Sequence, residues 1–274
     1  PTYLAALQVF KTYEASFGVV PTDGQGIILS EVGRVLAESR AKLLYLVPTF
    51  QNPTGKTLPR ERREAVVEQA AAAGTVVVED DPYGELRYTG EDLPALKAFD
   101  RDGRVVYLGS FSKIISPGLR VGFALAPPEI LRKMTIGKQA TDVHTSNLSQ
   151  AIVYEYCRRG LLPAHVEQIR QEYGEKRQVM LAALAENMPA GTTWTCPDGG
   201  LFLWVTLPEG CSAAELLKAA VERKVAFIPG DSFFAEGGGA NTMRLNFSNA
   251  SLEDIRVGVA RLGAVIRRFL GSGE

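Results

Sequence analysis

Apolar positions along this chain follow two periods, and the period switches from segment to segment. Residues 3–13, with Leu4, Leu7, Val9 and Phe10, keep a helical spacing, as do residues 30–39 and 59–74. Around them stand apolar runs of strand length at 16–21, 42–47, 75–79, 105–108 and 121–126. The helix predicted over 59–74 has Pro59 in a first-turn position, Glu61 close behind and Gly74 at its end, which is the usual asymmetry of helix termini. The runs Leu43-Leu44-Tyr45-Leu46-Val47 and Thr75-Val76-Val77-Val78 are almost unbroken in apolar character, as strands covered on both faces are. The alternation predicts an α/β layer domain.

From about residue 162 the texture changes. A long charged helix over 163–187 leads into short strands near Trp194 and at 201–206, 226–228 and 243–247, with helices at 212–223 and 251–270. This pattern predicts a large domain over 1–165, then a long connecting helix and a smaller α+β domain over 166–274. Gly237 to Gly239 form the one low-complexity patch, read as a mobile loop.

Composition narrows the function. With 274 residues, 46% hydrophobic and 22% charged, the chain has the balance of a globular protein with an ample core. Its 30 basic and 31 acidic residues leave neither a nucleic-acid footprint nor an acidic tail, so small molecules are the expected partners. Cys157, Cys196 and Cys211 lack metal-ligand spacing and have only His144 and His165 for company; they read as buried free thiols of a reducing compartment, with no metal. No run approaches the roughly 18 apolar residues of a membrane span, and the start is no secretory signal. The expectation is a cytoplasmic chain. Pro1-Thr2-Tyr3 has no initiator Met and runs straight into a helical pattern, as if the sequence opened inside a domain.

Candidate chemistry gathers where the predicted strands end, which is where open α/β sheets bind ligands. Asn52 follows the run 42–47, Asp80 follows 75–79, and Ser110 with Lys113 follows 105–108. A lysine with an acidic partner is the pairing of a pyridoxal phosphate site: the amine forms a Schiff base, and the carboxylate keeps the pyridine nitrogen protonated. Ser110, Ser112 and Arg120 form a set suited to a phosphate dianion. Taken singly, Asp80-Asp81-Pro82 and Asn52-Pro53-Thr54-Gly55 also read as turns, and Lys113 as a solvated charge. Gly55-Lys56-Thr57 imitates the end of a nucleotide-binding loop, but Phe50 stands where that motif needs its first glycine.

Asn52-Pro53-Thr54-Gly55, Asp80-Asp81-Pro82-Tyr83, Ser110-Phe111-Ser112-Lys113, Pro117-Gly118-Leu119-Arg120-Val121-Gly122 and Met243-Arg244-Leu245-Asn246-Phe247-Ser248, in that order, resemble the fold-type-I pyridoxal-phosphate aminotransferases of class I/II. The resemblance covers essentially the whole chain and is nearest to the 2-aminoadipate aminotransferase group. It implies a three-layer, mostly parallel sheet in the large domain and pyridoxal 5'-phosphate as cofactor. Lys113 would bond the cofactor and move the substrate proton, and Asp80 would pair with the ring nitrogen. Asn52 and Tyr83 would bind the phenolic oxygen; Ser110, Ser112 and Arg120 would bind the phosphate; Asn52 and Arg244 would bind the substrate, Arg244 through its α-carboxylate.

The implied activity is a ping-pong transamination between an L-amino acid and a 2-oxo acid, in a homodimer. 2-Aminoadipate, glutamate, aromatic and branched-chain amino acids all stay open as donors. The motifs are shared by aminotransferase-like sensor domains of MocR-type transcription regulators and by lyases on the same scaffold. Family members carry roughly a hundred further N-terminal residues, a domain-scale piece. The resemblance therefore implies that this segment is absent here, and with it the residues that read the substrate side chain.

Overall fold

The computed structural model describes residues 1–271. They form two compact units: Gly18–Thr49 with Thr57–Arg170, and Pro1–Phe17 with Phe50–Lys56 and the chain from Gln171 onward. Helix α1 (Leu4–Thr12) opens the chain in the latter unit.

The first of these units is built on a mostly parallel sheet. A short hairpin, β1 (Thr22–Asp23) and β2 (Gly26–Ile27), precedes helix α2 (Leu29–Ser39) and strand β3 (Leu43–Leu46). Helix α3 (Arg60–Ala72), strand β4 (Val76–Asp81), strand β5 (Val105–Ser110) and strand β6 (Gly122–Leu125) follow. The sheet order is β3-β4-β5-β6, with β3, β4 and β5 parallel and β6 antiparallel to β5. Helices α2 and α3 bury Val32, Leu36, Val66, Val67 and Ala70 in one cluster with Leu44, Val77 and Val105 of the strands. Each Val or Leu so buried contributes about 1.5–3 kcal/mol. Gly109 is needed because its antiparallel partner Phe123 lays a ring across β5, and any Cβ at 109 would overlap that ring.

Helices α4 (Pro128–Thr141) and α5 (Asn147–Arg158) also belong to this unit. No residue of α4 is buried and α5 buries Val153 alone, while Met134, Ile136, Leu148, Ile152 and Tyr154 stand exposed. The thiols also depart from expectation. Cys157, on α5, and Cys196 are exposed, and Cys211 is half-buried; all three are free. Among the described residues, 16–21 form no strand. Val19 is exposed there and Pro21 removes a ladder donor, so pairing begins only at β1.

Helix α6 (Leu161–Asn187) runs through the change of unit at Gln171. Beyond it come β7 (Thr193–Trp194), β8 (Phe202–Thr206), α7 (Ala213–Glu222), β9 (Ile228–Pro229), β10 (Thr242–Asn246) and α8 (Leu252–Phe269). The strands form an antiparallel sheet in the order β7-β8-β10-β9. Ser251 caps α8 by accepting the Asp254 N–H at 3.1 Å, with Glu253 and Asp254 in the first turn and Arg267 and Arg268 in the last, matching the helix dipole at both ends.

Candidate active site

Strand β4 ends on two carboxylates that face opposite ways. Side chains alternate along a strand, so Val78 and Asp80 share one face while Glu79 and Asp81 share the other. Tyr45 of β3 pairs with Val78, and its phenol reaches diagonally to Asp80, donating to Oδ2 at 2.5 Å. Tyr107 of β5 pairs with Glu79 and reaches Asp81 Oδ2 in the same diagonal way at 3.1 Å. Burial pushes the Asp80 carboxyl above the ordinary range, and the Tyr45 hydrogen bond pulls it back. The Asp81 carboxyl is raised chiefly by burial too, against the Tyr107 hydroxyl and the charge of Arg63. The Tyr107 phenol is itself pushed upward by burial and by Asp81.

Behind Asp80 lies a buried polar assembly. Glu79, fully buried, accepts the backbone N–H groups of Leu96 at 2.7 Å and Lys97 at 2.8 Å. Burial still outweighs those bonds and lifts its pKa to about 7. The Arg63 guanidinium, 1% exposed, donates to the carbonyls of Leu58, Pro94 and Pro48 and to the Thr49 hydroxyl, at 2.8–3.0 Å. Its charge acts on both Glu79 and Asp81.

The segment after β5 carries the lysine. Ser112 N–H donates to Ser110 Oγ at 3.1 Å, and the N–H groups of Ile115 and Ser116 return to the Phe111 carbonyl at 2.8 and 3.2 Å. This single tight turn holds Lys113, half-buried, just past the end of β5. Ser116 then caps a 3-10 turn at Pro117–Leu119, and Arg120 takes a left-handed conformation, φ 56°. A non-glycine residue held there costs on the order of 1–3 kcal/mol, a strain that clusters at functional sites. The Arg120 guanidinium donates to the Pro117 carbonyl at 3.1 Å and is solvent-exposed. Tyr83, 5% exposed, lies in the turn that leaves β4. Asp80, Tyr83, Ser110, Ser112, Lys113 and Arg120 are thus all carried at or just beyond the ends of the neighbouring strands β4 and β5.

Asn52 and Arg244 belong to the other unit, which brings them together. Arg244, opposite Trp204 on β8 and Ile228 on β9, donates through Nη1 to Asn52 Oδ1 at 2.8 Å. Its guanidinium lies 4.1 Å from the Phe202 ring centroid and 5.2 Å from that of Phe233, and Phe233 in turn meets Trp204 edge-on at 5.7 Å. Stacking and a hydrogen bond on one edge fix the plane of the fork. Asn52 is set by a tight loop in which Gln51 Oε1 accepts both the Thr54 N–H at 2.8 Å and its hydroxyl at 2.6 Å. Gly55 closes that loop with φ 72°, and a Cβ at 55 would stand 2.8 Å from Pro197.

The contacts of Tyr45 and Phe202, on strands, and of Phe233, in the 3-10 turn at Gly230–Phe233, were not assigned from sequence. An aromatic residue in a strand reads as ordinary β propensity, and only register reveals what its polar end or its ring meets.

A family model described as aminotransferase class I and II matches residues 1–262. Aromatic-amino-acid aminotransferase 1 of Thermococcus litoralis is 46% identical over 272 residues, covering 97% of this chain and 65% of its own length. The 2-aminoadipate transaminase of Thermus thermophilus is 43% identical over 273 residues, covering 98% of this chain and 68% of its own. The crystal structure of an alpha-aminoadipate aminotransferase from Thermus thermophilus, complexed with N-(5'-phosphopyridoxyl)-L-leucine, matches with a TM-score of 0.95 at 43% identity, covering 99% of this chain and 70% of that one. The chain spans about two thirds of the length of these relatives.

Proposed function

We propose that this chain, which belongs to the class I and II aminotransferase family, binds pyridoxal 5'-phosphate and serves, in the whole protein, to exchange an amino group between an L-amino acid and a 2-oxo acid. The observation that carries the reading is the placement of Asp80 and of the Ser110 to Arg120 segment at the ends of adjacent parallel strands. The donor set fits the cofactor. Asp80 is a carboxylate whose anion burial disfavours, and a protonated ring nitrogen supplies a compensating positive charge. Ser110, Ser112 and Arg120 offer hydroxyl and guanidinium donors to a phosphate, and Lys113 offers an amine for covalent attachment.

When bound, pyridoxal phosphate supplies an aldehyde that condenses with amines and a ring that draws electrons from the substrate α-carbon. In the proposed reaction the Lys113 amine takes the proton from that carbon as a general base. Asn52 and Tyr83 would be the donors to the cofactor's phenolic oxygen. Arg244, its plane held by Phe202 and Asn52, grips the α-carboxylate in bidentate fashion. The proposed donors are L-amino acids of the aromatic and 2-aminoadipate classes, which are the substrates named for the relatives. Each substrate would release its product before the other binds.

The test is optical and kinetic. Protein mixed with pyridoxal phosphate is expected to show a visible absorption band that shifts on adding amino acid. Lys113→Ala is expected to lose the band and to slow turnover roughly a thousandfold or more. A variant that keeps the full spectrum and rate refutes the assignment.

A further inference from the structure

We propose that Tyr45 is a positioning residue that fixes the Asp80 carboxylate as an oriented anion for the ring nitrogen of the cofactor. The inference rests on the reading of Asp80 as that nitrogen's partner and adds a residue behind it. Tyr45 sits on β3 opposite Val78, and Asp80 lies two residues further along β4 on the same face, so the length of a tyrosine spans the diagonal and places Oη 2.5 Å from Oδ2. A phenol donating to a carboxylate is a charge-assisted bond of the short, strong kind. Among the described residues Tyr45 is the hydrogen-bonding partner of that carboxylate, and its bond opposes the effect of burial on Asp80.

Two consequences follow for the cofactor. Occupying Oδ2 fixes the rotation of the carboxylate about its last torsion and leaves Oδ1 for a second partner. The phenol also favours the anion over the neutral acid, and only the anion holds a proton on a pyridine nitrogen by charge. Removing the hydroxyl leaves burial unopposed, so Asp80 takes up a proton more readily before the cofactor arrives.

The experiment uses the full chain in four forms: unaltered, Tyr45→Phe, 3-fluorotyrosine at position 45, and Asp80→Asn. Two readouts are taken. One is the titration of the Asp80 carboxyl by carbon NMR in the cofactor-free protein. The other is the affinity for pyridoxal phosphate and for an analogue with carbon in place of the ring nitrogen. Tyr45→Phe is expected to raise the Asp80 titration point and to weaken pyridoxal phosphate roughly ten- to hundredfold, leaving the carbon analogue within about twofold. 3-Fluorotyrosine keeps the ring, strengthens the donor, and is expected to lower the Asp80 titration point. Equal weakening of both ligands by Tyr45→Phe, or no change in either, overturns the role of Tyr45. If Asp80→Asn leaves pyridoxal phosphate binding unchanged, the assignment of Asp80 itself fails, and the two failures are told apart by which variant is silent. Should Tyr45→Phe not fold, the fluorotyrosine form decides: an unmoved Asp80 titration overturns the inference.

Discussion

The two faces of strand β4 solve the same problem with opposite results. On each, a tyrosine from a neighbouring strand reaches diagonally to an aspartate: Tyr45 to Asp80 on one side, Tyr107 to Asp81 on the other. Asp81 belongs to an assembly already supplied with positive charge and donors, because the Arg63 guanidinium bears on it and on Glu79, and Glu79 caps the N–H groups of Leu96 and Lys97. Asp80 has a phenol and burial, and no such assembly of its own. The difference separates a carboxylate that serves the fold from one suited to a ligand. The two differ in charge and not in hydrogen bonding: Asp81 Oδ1 is buried without a hydrogen-bond partner, but Asp81 has the Arg63 cation acting on it, whereas Asp80 has no such cation among the described residues and so suits a cationic ligand atom.

Several changes would break or sharpen that contrast. The largest effect is expected from Arg63→Ala, which strips four hydrogen bonds from Leu58, Pro94, Pro48 and Thr49 and removes the charge facing Glu79 and Asp81. Denaturant unfolding should show a loss of about 3–5 kcal/mol. An unchanged midpoint would mean that the assembly is not what holds this side of the sheet.

Next in size is a pH effect from Glu79. Its pKa is raised from the ordinary 4.5 to about 7, so the folded protein binds a proton at Glu79 more tightly than the unfolded chain does. The stability it contributes is complete below pH 4.5, falls as pH rises through about 7, and is level above that. The displacement corresponds to about 3 kcal/mol across the window. Unfolding measured at a series of pH values should show this slope in the unaltered chain and a flatter one in Glu79→Gln; identical slopes would contradict it.

The smallest effect is expected from Tyr107→Phe. Loss of the bond to Asp81 should cost about 1 kcal/mol in a thermal melt while leaving cofactor affinity unchanged. A fall in affinity as large as that expected for Tyr45→Phe would erase the distinction between the faces.

Much of this was legible from residue order. The strand-length runs at 42–47, 75–79, 105–108 and 121–126 became β3 to β6, because short apolar runs bounded by turn residues favour strands, although β6 leaves Phe123 and Leu125 exposed. Asp80, Ser110 and Lys113 stood out by their position just past those runs. Helices α4 and α5 were not predicted, and in the fold they leave Met134, Ile136, Leu148, Ile152 and Tyr154 exposed. Tyr45 was hidden because its partner lies 35 positions away, and a phenol's partner depends on register, which no local pattern encodes. The stacking of Arg244 on Phe202 is of the same kind, set by pairing within the antiparallel sheet.

The alternation along β4 also constrains how this segment can change over time. Asp80 and Asp81 are neighbours in the chain but occupy opposite sides of the sheet, so inserting or deleting a single residue in β4 would hand each aspartate the other's surroundings. Point replacement is therefore the accessible route of divergence for these six residues, and length variation is confined to the turns on either side.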